Sequence, residues 1–223
     1  GLTITHPKPG ESLDFGSSTI EFYGPITESE SDRNNGSIVM KIIYGDTSFL
    51  FTGDAEREEE QEILNAGYDL SATVLKVGHH GSKNSTTYPF LREIMPKYAV
   101  ISVGDNNYGH PTEDTLSRLR DADVKVYRTD MQGDIVATSD GKTVTITTKK
   151  NNNAQTNPTE NEKSTTAQSS EKAVNQEICE YIGNVNTKKF HYPECGAVSQ
   201  MKEKNKVYLT CTRDEAIKDG YTP

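Results

Sequence analysis

Three segments of the chain each join a short apolar run to a residue that can bind a metal or move a proton. They are Phe49-Leu50-Phe51-Thr52-Gly53-Asp54, Val74-Leu75-Lys76-Val77-Gly78-His79-His80-Gly81-Ser82, and Val100-Ile101-Ser102-Val103-Gly104 followed by Tyr108-Gly109-His110-Pro111. Each run has the length of a buried strand, and the carboxylate or imidazole follows its C-terminal end. Glycines ahead of Asp54, His79 and His110 allow the sharp turns that aim such side chains into one crevice. A carboxylate with several imidazoles is a divalent-metal donor set, and the histidine content favours Zn²⁺. Plainer readings stand beside this one. Asp54 directly precedes a helix-like stretch and could cap it, and a single histidine such as His110 is often a structural hydrogen-bonder. The adjacent pair His79-His80 in a Gly-rich turn is harder to explain by packing. Lys76 would lie either near a bound phosphate or free in solvent.

A fourth candidate lies near the C-terminus. Phe190-His191-Tyr192-Pro193-Glu194-Cys195 sets His191 and Cys195 four residues apart, a spacing found in structural zinc knuckles. A surface histidine beside a buried cysteine is the alternative. Cys179, Cys195 and Cys211 are the three cysteines, all within the last 45 residues. An odd count in so short a stretch fits a metal site or an absent partner better than a closed disulfide framework.

The elements that must position these residues follow from hydrophobic periodicity and turn residues. Glu11–Pro25 reads as strands with a turn, and Thr27–Gly36 as a polar loop. Ser37–Tyr44 and Thr47–Thr52 form a hairpin across Gly45-Asp46. Glu56–Ala66 is helical, with glutamates in its first turns where the helix dipole favours them. Ala72–Val77 is a buried strand, Tyr88–Met95 a helix stopped by Pro96, and Tyr98–Val103 a strand. Helix Glu113–Ala122, strand Lys125–Arg128 and a hairpin around Asp140-Gly141 complete the pattern. Strands alternating with helices, with hairpins at both ends, predict an α+β or layered α/β architecture.

Composition divides the chain into three. Residues 1–148 hold most of the aliphatic runs, with 13 Lys+Arg against 23 Asp+Glu. Residues 149–177 are rich in Asn, Thr, Ser and Glu and predict a disordered linker, because they cannot bury enough apolar surface to offset ordering entropy. Residues 178–223 regain Ile, Phe, Tyr and Val, and a unit this small usually needs a metal or disulfide. The acidic first region excludes a surface for tight non-specific nucleic-acid binding. No run of 18 or more apolar residues exists, so the sequence offers no membrane-spanning helix. Linkers of this composition hint at an exported, extracellular or cell-surface bacterial protein.

Taken in order, Thr52-Gly53-Asp54-Ala55, Lys76 through Ser82, Pro96 through Gly104 and Tyr108-Gly109-His110-Pro111 resemble the C-terminal half of the ComEC-type metallo-β-lactamase family. That family includes the extracellular domain of competence DNA-uptake proteins and secreted stand-alone hydrolases. The resemblance spans roughly Leu13–Thr148 and implies a partial αββα sandwich. It implies a binuclear Zn²⁺ site, with Mn²⁺ as the alternative, and hydrolysis of phosphoesters or nucleic acid. It also implies that Asp54 bridges the two ions and that His110 closes the site. His80 is then the ligand of the histidine pair, and His79 is catalytic through substrate contact or proton transfer. The family's His-x-His-x-Asp-His motif is absent, and Thr5-His6-Pro7-Lys8 lacks its other ligands. The expectation is therefore a fragment whose partner is the missing N-terminal half of the same fold. Alone it would be inactive, with apolar surface exposed on one sheet face. The alternative is a non-enzymatic module for nucleic acid or cell wall that uses the lactamase fold as a scaffold.

From Tyr181 onward the chain resembles the zinc-binding domain of the Ada DNA-repair family. The resemblance implies one structural zinc held by His191 and Cys195, with the closing Cys-x-x-Cys pair absent before Pro223. It leaves Cys211 as a packed or uncommitted thiol and Cys179 as incidental.

Overall fold

The apolar runs pair, in chain order, into one seven-stranded sheet. Strands β1 (Ser12–Phe15), β2 (Ser18–Gly24), β3 (Val39–Tyr44) and β4 (Thr47–Phe51) are antiparallel neighbours. From β4 the sheet continues in parallel through β5 (Val74–Lys76), β6 (Tyr98–Ile101) and β7 (Lys125–Arg128). Parallel neighbours require crossovers, which here are α1 (Arg57–Ala66), α2 (Tyr88–Ile94) and α3 (Glu113–Asp121). A short α4 (Thr129–Gln132) leads to the hairpin β8 (Ile135–Ser139) and β9 (Val144–Thr148). The computed structural model describes residues 6–27, 32–158, 179–191, 198, 201–211 and 213–221. This mixed α/β arrangement is consistent with the expected layered fold. The predicted strand Ala72–Val77 is shorter at both ends in the structure, although the Val77 N–H still donates to the Val100 carbonyl, and Tyr98–Val103 loses its last two residues to the loop that leads to His110.

One row of residues across the sheet shows where the core lies. Lys41, Leu50, Leu75, Ala99 and Val126 are aligned by register and all buried. They join Ile63 of α1, Phe90, Leu91 and Ile94 of α2, and Leu116 and Leu119 of α3, except that Lys41 is polar. Its ammonium is satisfied by the carboxylate of Asp69, 3.5 Å away, and by that residue's carbonyl. The opposite face carries Phe22, Met40, Phe51, Lys76 and Val100 in one aligned row and Ile20, Ile42, Phe49 and Val74 in the next, and of these only Val74 is buried. At the edge, Leu13 and Phe15 of β1 are 55% and 67% exposed. Apolar surface on one sheet face is thus present, as the sequence led us to expect.

The C-terminal limit of this unit differs from expectation. Residues 149–158, assigned by composition to the linker, are held against the domain. The Thr156 hydroxyl is buried and donates to the Val126 carbonyl of edge strand β7 at 2.6 Å. The Asn157 amide donates to Leu116 and accepts from Arg120. Hydrogen bonds to a sheet edge do here what apolar burial could not, so the polar composition misplaced the boundary. The chain divides into units Gly1–Ser164 and Thr165–Pro223.

In the second unit β10 (Cys179–Asn184) is flanked by β11 (Phe190–His191) and β12 (Lys206–Cys211), followed by α5 (Arg213–Lys218). Tyr181, Phe190, Ala216 and Tyr221 form its core.

Leu75 is fully buried at the centre of the first unit's core. Leu75→Ala is expected to cost about 2–5 kcal/mol. In urea unfolding the midpoint should fall while the slope stays unchanged.

Candidate functional site

The parallel strands deliver their following residues to one edge of the sheet. After β4, Gly53 turns the chain with φ +55°, and a Cβ there would stand 2.7 Å from the Ser37 Cβ. The close approach lets the Ser37 hydroxyl accept the Asp54 N–H at 2.9 Å. Asp54 does not cap α1. The N-cap position is Glu56, with no side-chain cap, and the Asp54 carboxylate instead lies 4.0 Å from His80 Nε2. The capping reading of Asp54 is therefore set aside.

After β5, residues Gly78–Gly81 form a single tight helical turn. The sequence points to Gly78 as the residue that makes the bend possible, yet His79 and His80 themselves adopt left-handed conformations, with φ of 46° and 53°. Two consecutive non-glycine residues there cost roughly 1–3 kcal/mol each and must be held by their surroundings. The His79 N–H donates to the Gly53 carbonyl at 3.0 Å, tying this turn to the Asp54 turn. His79 Nδ1 is 3.1 Å from Glu56 Oε1, and His80 Nδ1 is 2.6 Å from the Ser102 carbonyl. A carboxylate or carbonyl oxygen accepts here, so each Nδ1 carries a proton, and in the neutral ring the lone pair then falls on Nε2. That is the tautomer a metal-binding or basic histidine uses.

After β6, Asn106 shapes the loop that carries His110. Its Oδ1 accepts the N–H groups of Tyr108 and His110, and its Nδ2 donates to the carbonyls of Gly104 and His110. The loop docks on the histidine turn at Gly81, where φ is +87° and a Cβ would meet the Pro111 Cβ at 2.5 Å. The Thr112 N–H donates to the Gly81 carbonyl there at 2.9 Å. The ring of His110 lies 5.6 Å from that of His79 and stacks on Tyr108 at 5.9 Å. Its Nδ1 is buried with no hydrogen-bond partner among the described residues. Burial, and secondarily the neighbouring His79 and His80, hold its pKa below the ordinary imidazole value and keep the ring neutral.

The structure thus brings Asp54, His79, His80 and His110 to one edge. Among the described residues, no three His, Cys, Asp or Glu side chains are gathered closely enough to hold an ion as they stand. Lys76 is not simply solvated. Its ammonium donates to the Val77 carbonyl at 3.0 Å, and burial pushes its pKa down against the pull of Asp54. His191 stands on β11 of the second unit, and Cys195 lies outside the described residues.

Sequence reasoning missed the groups that hold the site. Glu56, read only as part of an acidic helix start, orients His79 and accepts from the Asn34 amide at 3.1 Å. Glu60 is buried behind the site and accepts from the N–H groups of Thr86 and Thr87 and from the Thr87 hydroxyl. Thr86 in turn accepts the Gly78 N–H, and Ser85 donates to the Ala55 carbonyl. Arg118 completes the frame, donating to the carbonyls of Lys83 and Ser85 and to the Thr115 hydroxyl. A buried glutamate four residues after Glu56 has no periodic signature that separates it from its solvated neighbours.

Residues 2–105 match the metallo-beta-lactamase superfamily, so His110 lies beyond the matched segment. The chain is 40% identical over 136 residues to "ComE operon protein 3" of Bacillus subtilis (strain 168), which covers 60% of this chain and 18% of that protein. It is 38% identical over 116 residues to "Competence protein ComA" of Neisseria gonorrhoeae, covering 51% and 17%. It is 36% identical over 103 residues to "Recombination protein 2" of Haemophilus influenzae (strain ATCC 51907 / DSM 11121 / KW20 / Rd), covering 46% and 13%. The chain therefore spans less than a fifth of the length of these curated relatives. The match and the relatives support a ComEC-type metallo-β-lactamase fold and a relation to competence proteins.

Glu60 gives the frame a pH dependence. Burial raises its carboxyl from 4.5 to about 7, against the opposing effect of its threonine donors and Arg118. The folded chain therefore keeps a proton that the unfolded chain releases above about 4.5. This group's contribution to stability falls as pH rises from about 4.5 to about 7, then stays level. Glu60→Gln removes the titration. Between about pH 5 and pH 8 the wild type should lose on the order of 3 kcal/mol relative to this variant. Urea unfolding at both pH values measures it, and a pH-independent difference would show that Glu60 does not titrate in the folded chain.

Proposed function

We propose that this chain carries part of a metal-dependent hydrolase site for phosphoester or nucleic-acid substrates, in a protein that acts in or near DNA uptake. The observation that carries the proposal is a pair of imidazoles whose Nδ1 atoms meet Glu56 and the Ser102 carbonyl, with His80 Nε2 4.0 Å from Asp54 and the ring of His110, its Nδ1 without a partner among the described residues, 5.6 Å from that of His79. These donors fit Zn²⁺, with Mn²⁺ as the alternative. Asp54, His80 and His110 would hold the ion, which would polarise a phosphoryl oxygen and acidify a water.

His79 is then the catalytic residue, and Glu56 supports it. A carboxylate 3.1 Å from Nδ1 fixes the ring and stabilises the imidazolium that forms when Nε2 takes a proton. One carboxylate and two imidazoles fall short of two four-coordinate sites. The remaining donors come, in this proposal, from a counterpart of the His-x-His-x-Asp-His motif outside these 223 residues, and the chain alone is inactive. The same missing half would cover the half-buried sheet face. His191 and Cys195 would bind a separate structural zinc in the second unit. A place at the bacterial surface or outside the cell fits a substrate that arrives from outside.

Elemental mass spectrometry tests this on the chain and on a longer protein that includes such a motif. Two or more equivalents of Zn or Mn are expected in the longer protein, falling with Asp54→Ala and with His110→Ala. His79→Gln should keep the metal but lower phosphodiester turnover about 10²–10⁴-fold. Finding no metal beyond a single tail zinc would favour the non-enzymatic binding module instead.

A further inference from the structure

The imidazole of His79 is oriented by Glu56, and Glu56 is in turn held by a segment distant from it in sequence. Glu56 is the N-cap residue of α1, yet its side chain makes no cap. The carboxylate is turned toward His79, with Oε1 3.1 Å from Nδ1. The same oxygen accepts the Asn34 amide at 3.1 Å. An amide nitrogen, not an amide oxygen, must face a carboxylate, which fixes the orientation of the Asn34 side chain. The Glu56 N–H donates to Asn35 Oδ1 at 2.9 Å. Two consecutive asparagines therefore hold both the backbone and the carboxylate of Glu56.

The asparagines are themselves anchored. Asp32 Oδ1 accepts the N–H groups of Asn34 and Asn35, each at 3.2 Å, and Asp32 Oδ2 accepts the Asn35 amide at 2.8 Å. The Gly36 N–H donates to the Asp32 carbonyl, and the Ser37 N–H to the Asn34 carbonyl. Asn35 is buried. At the end of the turn, the Ser37 hydroxyl accepts the Asp54 N–H. One short segment thus reaches the Asp54 backbone, the Glu56 backbone and the Glu56 carboxylate. Freezing a glutamate side chain costs about as much rotamer entropy as one hydrogen bond returns. A second donor on Oε1 therefore decides whether the carboxylate stays on His79.

We propose that Asn34 is a positioning residue for His79: its amide holds the Glu56 carboxylate in the rotamer that accepts from Nδ1, and so fixes the tautomer and orientation of the ring. An alanine at this position leaves the carboxylate able to rotate. An aspartate sets a second acceptor against Glu56 and drives it away. The consequence for catalysis rests on the hydrolase reading, in which His79 moves the proton. The link from Asn34 to the His79 ring does not.

The first test uses the full chain, stripped of metal with a chelator, at about pH 8.5, where an imidazole of ordinary pKa is neutral. Long-range proton–nitrogen NMR spectra report which ring nitrogen carries the proton. His79 should be the Nδ1–H tautomer in the wild type, a mixture of tautomers in Asn34→Ala, and further shifted in Asn34→Asp. His80, whose Nδ1 meets the Ser102 carbonyl instead, should keep its signal in both variants and so reports an intact fold. An unchanged His79 pattern in both variants, or an equal change at His80, would overturn the proposal. The second test is kinetic, on a longer protein that includes a His-x-His-x-Asp-His motif. Asn34→Ala should lower phosphodiester kcat about 10–100-fold at unchanged KM and metal content. Added to His79→Gln it should cause no further loss, because it acts only through that ring. A further loss of the same size in that background would count against Asn34 as a positioning residue. No phosphodiester turnover in the longer protein would remove the hydrolase reading, and the NMR spectra would still decide the role of Asn34.

Discussion

The parallel register of β4, β5 and β6 is the constraint on which the candidate site depends. Leu50, Leu75 and Ala99 lie side by side in one row. Strands aligned in parallel end on the same edge, so residues at equal distances beyond that row emerge together. Asp54 and His79 each stand four positions past their aligned leucine, with His80 one further. His110 stands much further from Ala99, and its loop must be brought back by the Asn106 hydrogen bonds and by the contact of Pro111 with Gly81. Two of the three arms are short because the sheet already positions them. The third requires a dedicated loop.

That geometry holds two histidines in left-handed conformations, and the frame that opposes the strain is polar rather than apolar. Glu60, Thr86, Thr87, Ser85 and Arg118 connect α1, the segment after the histidine turn, and α3. Hydrogen bonds are directional where apolar contacts are not, so such a network specifies one loop conformation. Its cost is the desolvation of a carboxylate and a guanidinium. The aliphatic core beneath, from Leu50 to Val126, supplies stability, and the polar layer above it supplies position.

The sequence made the sheet-forming runs and their helical crossovers legible, because period-two and helical patterns and Gly turns mark them directly. The convergence of Asp54, His79, His80 and His110 on one edge was legible for the same reason, since each follows a buried run. The partners of those residues were not. Glu56 and Glu60 sit among Glu58, Glu59 and Glu62, and only the packing of α1 against the chain decides which carboxylates are buried. The Ser102 carbonyl that fixes His80 is a backbone group with no sequence signature. The linker boundary failed on a similar point: Thr156 and Asn157 are polar by composition, but here they satisfy an edge strand and the helix beside it.

The protonation pattern at the edge carries its own electrostatic argument. Glu56 and the Ser102 carbonyl each accept an Nδ1 hydrogen bond, and His80 Nε2 lies 4.0 Å from the Asp54 carboxylate. His110, kept neutral by burial and by its two neighbours, adds a buried nitrogen without a hydrogen-bond partner among the described residues. The Lys76 ammonium donates to the Val77 carbonyl and is also attracted by the Asp54 carboxylate. Two strained histidines, tied to Glu56 and the Ser102 carbonyl and anchored through Gly78 and Thr86 to the buried Glu60, hold that edge in one arrangement.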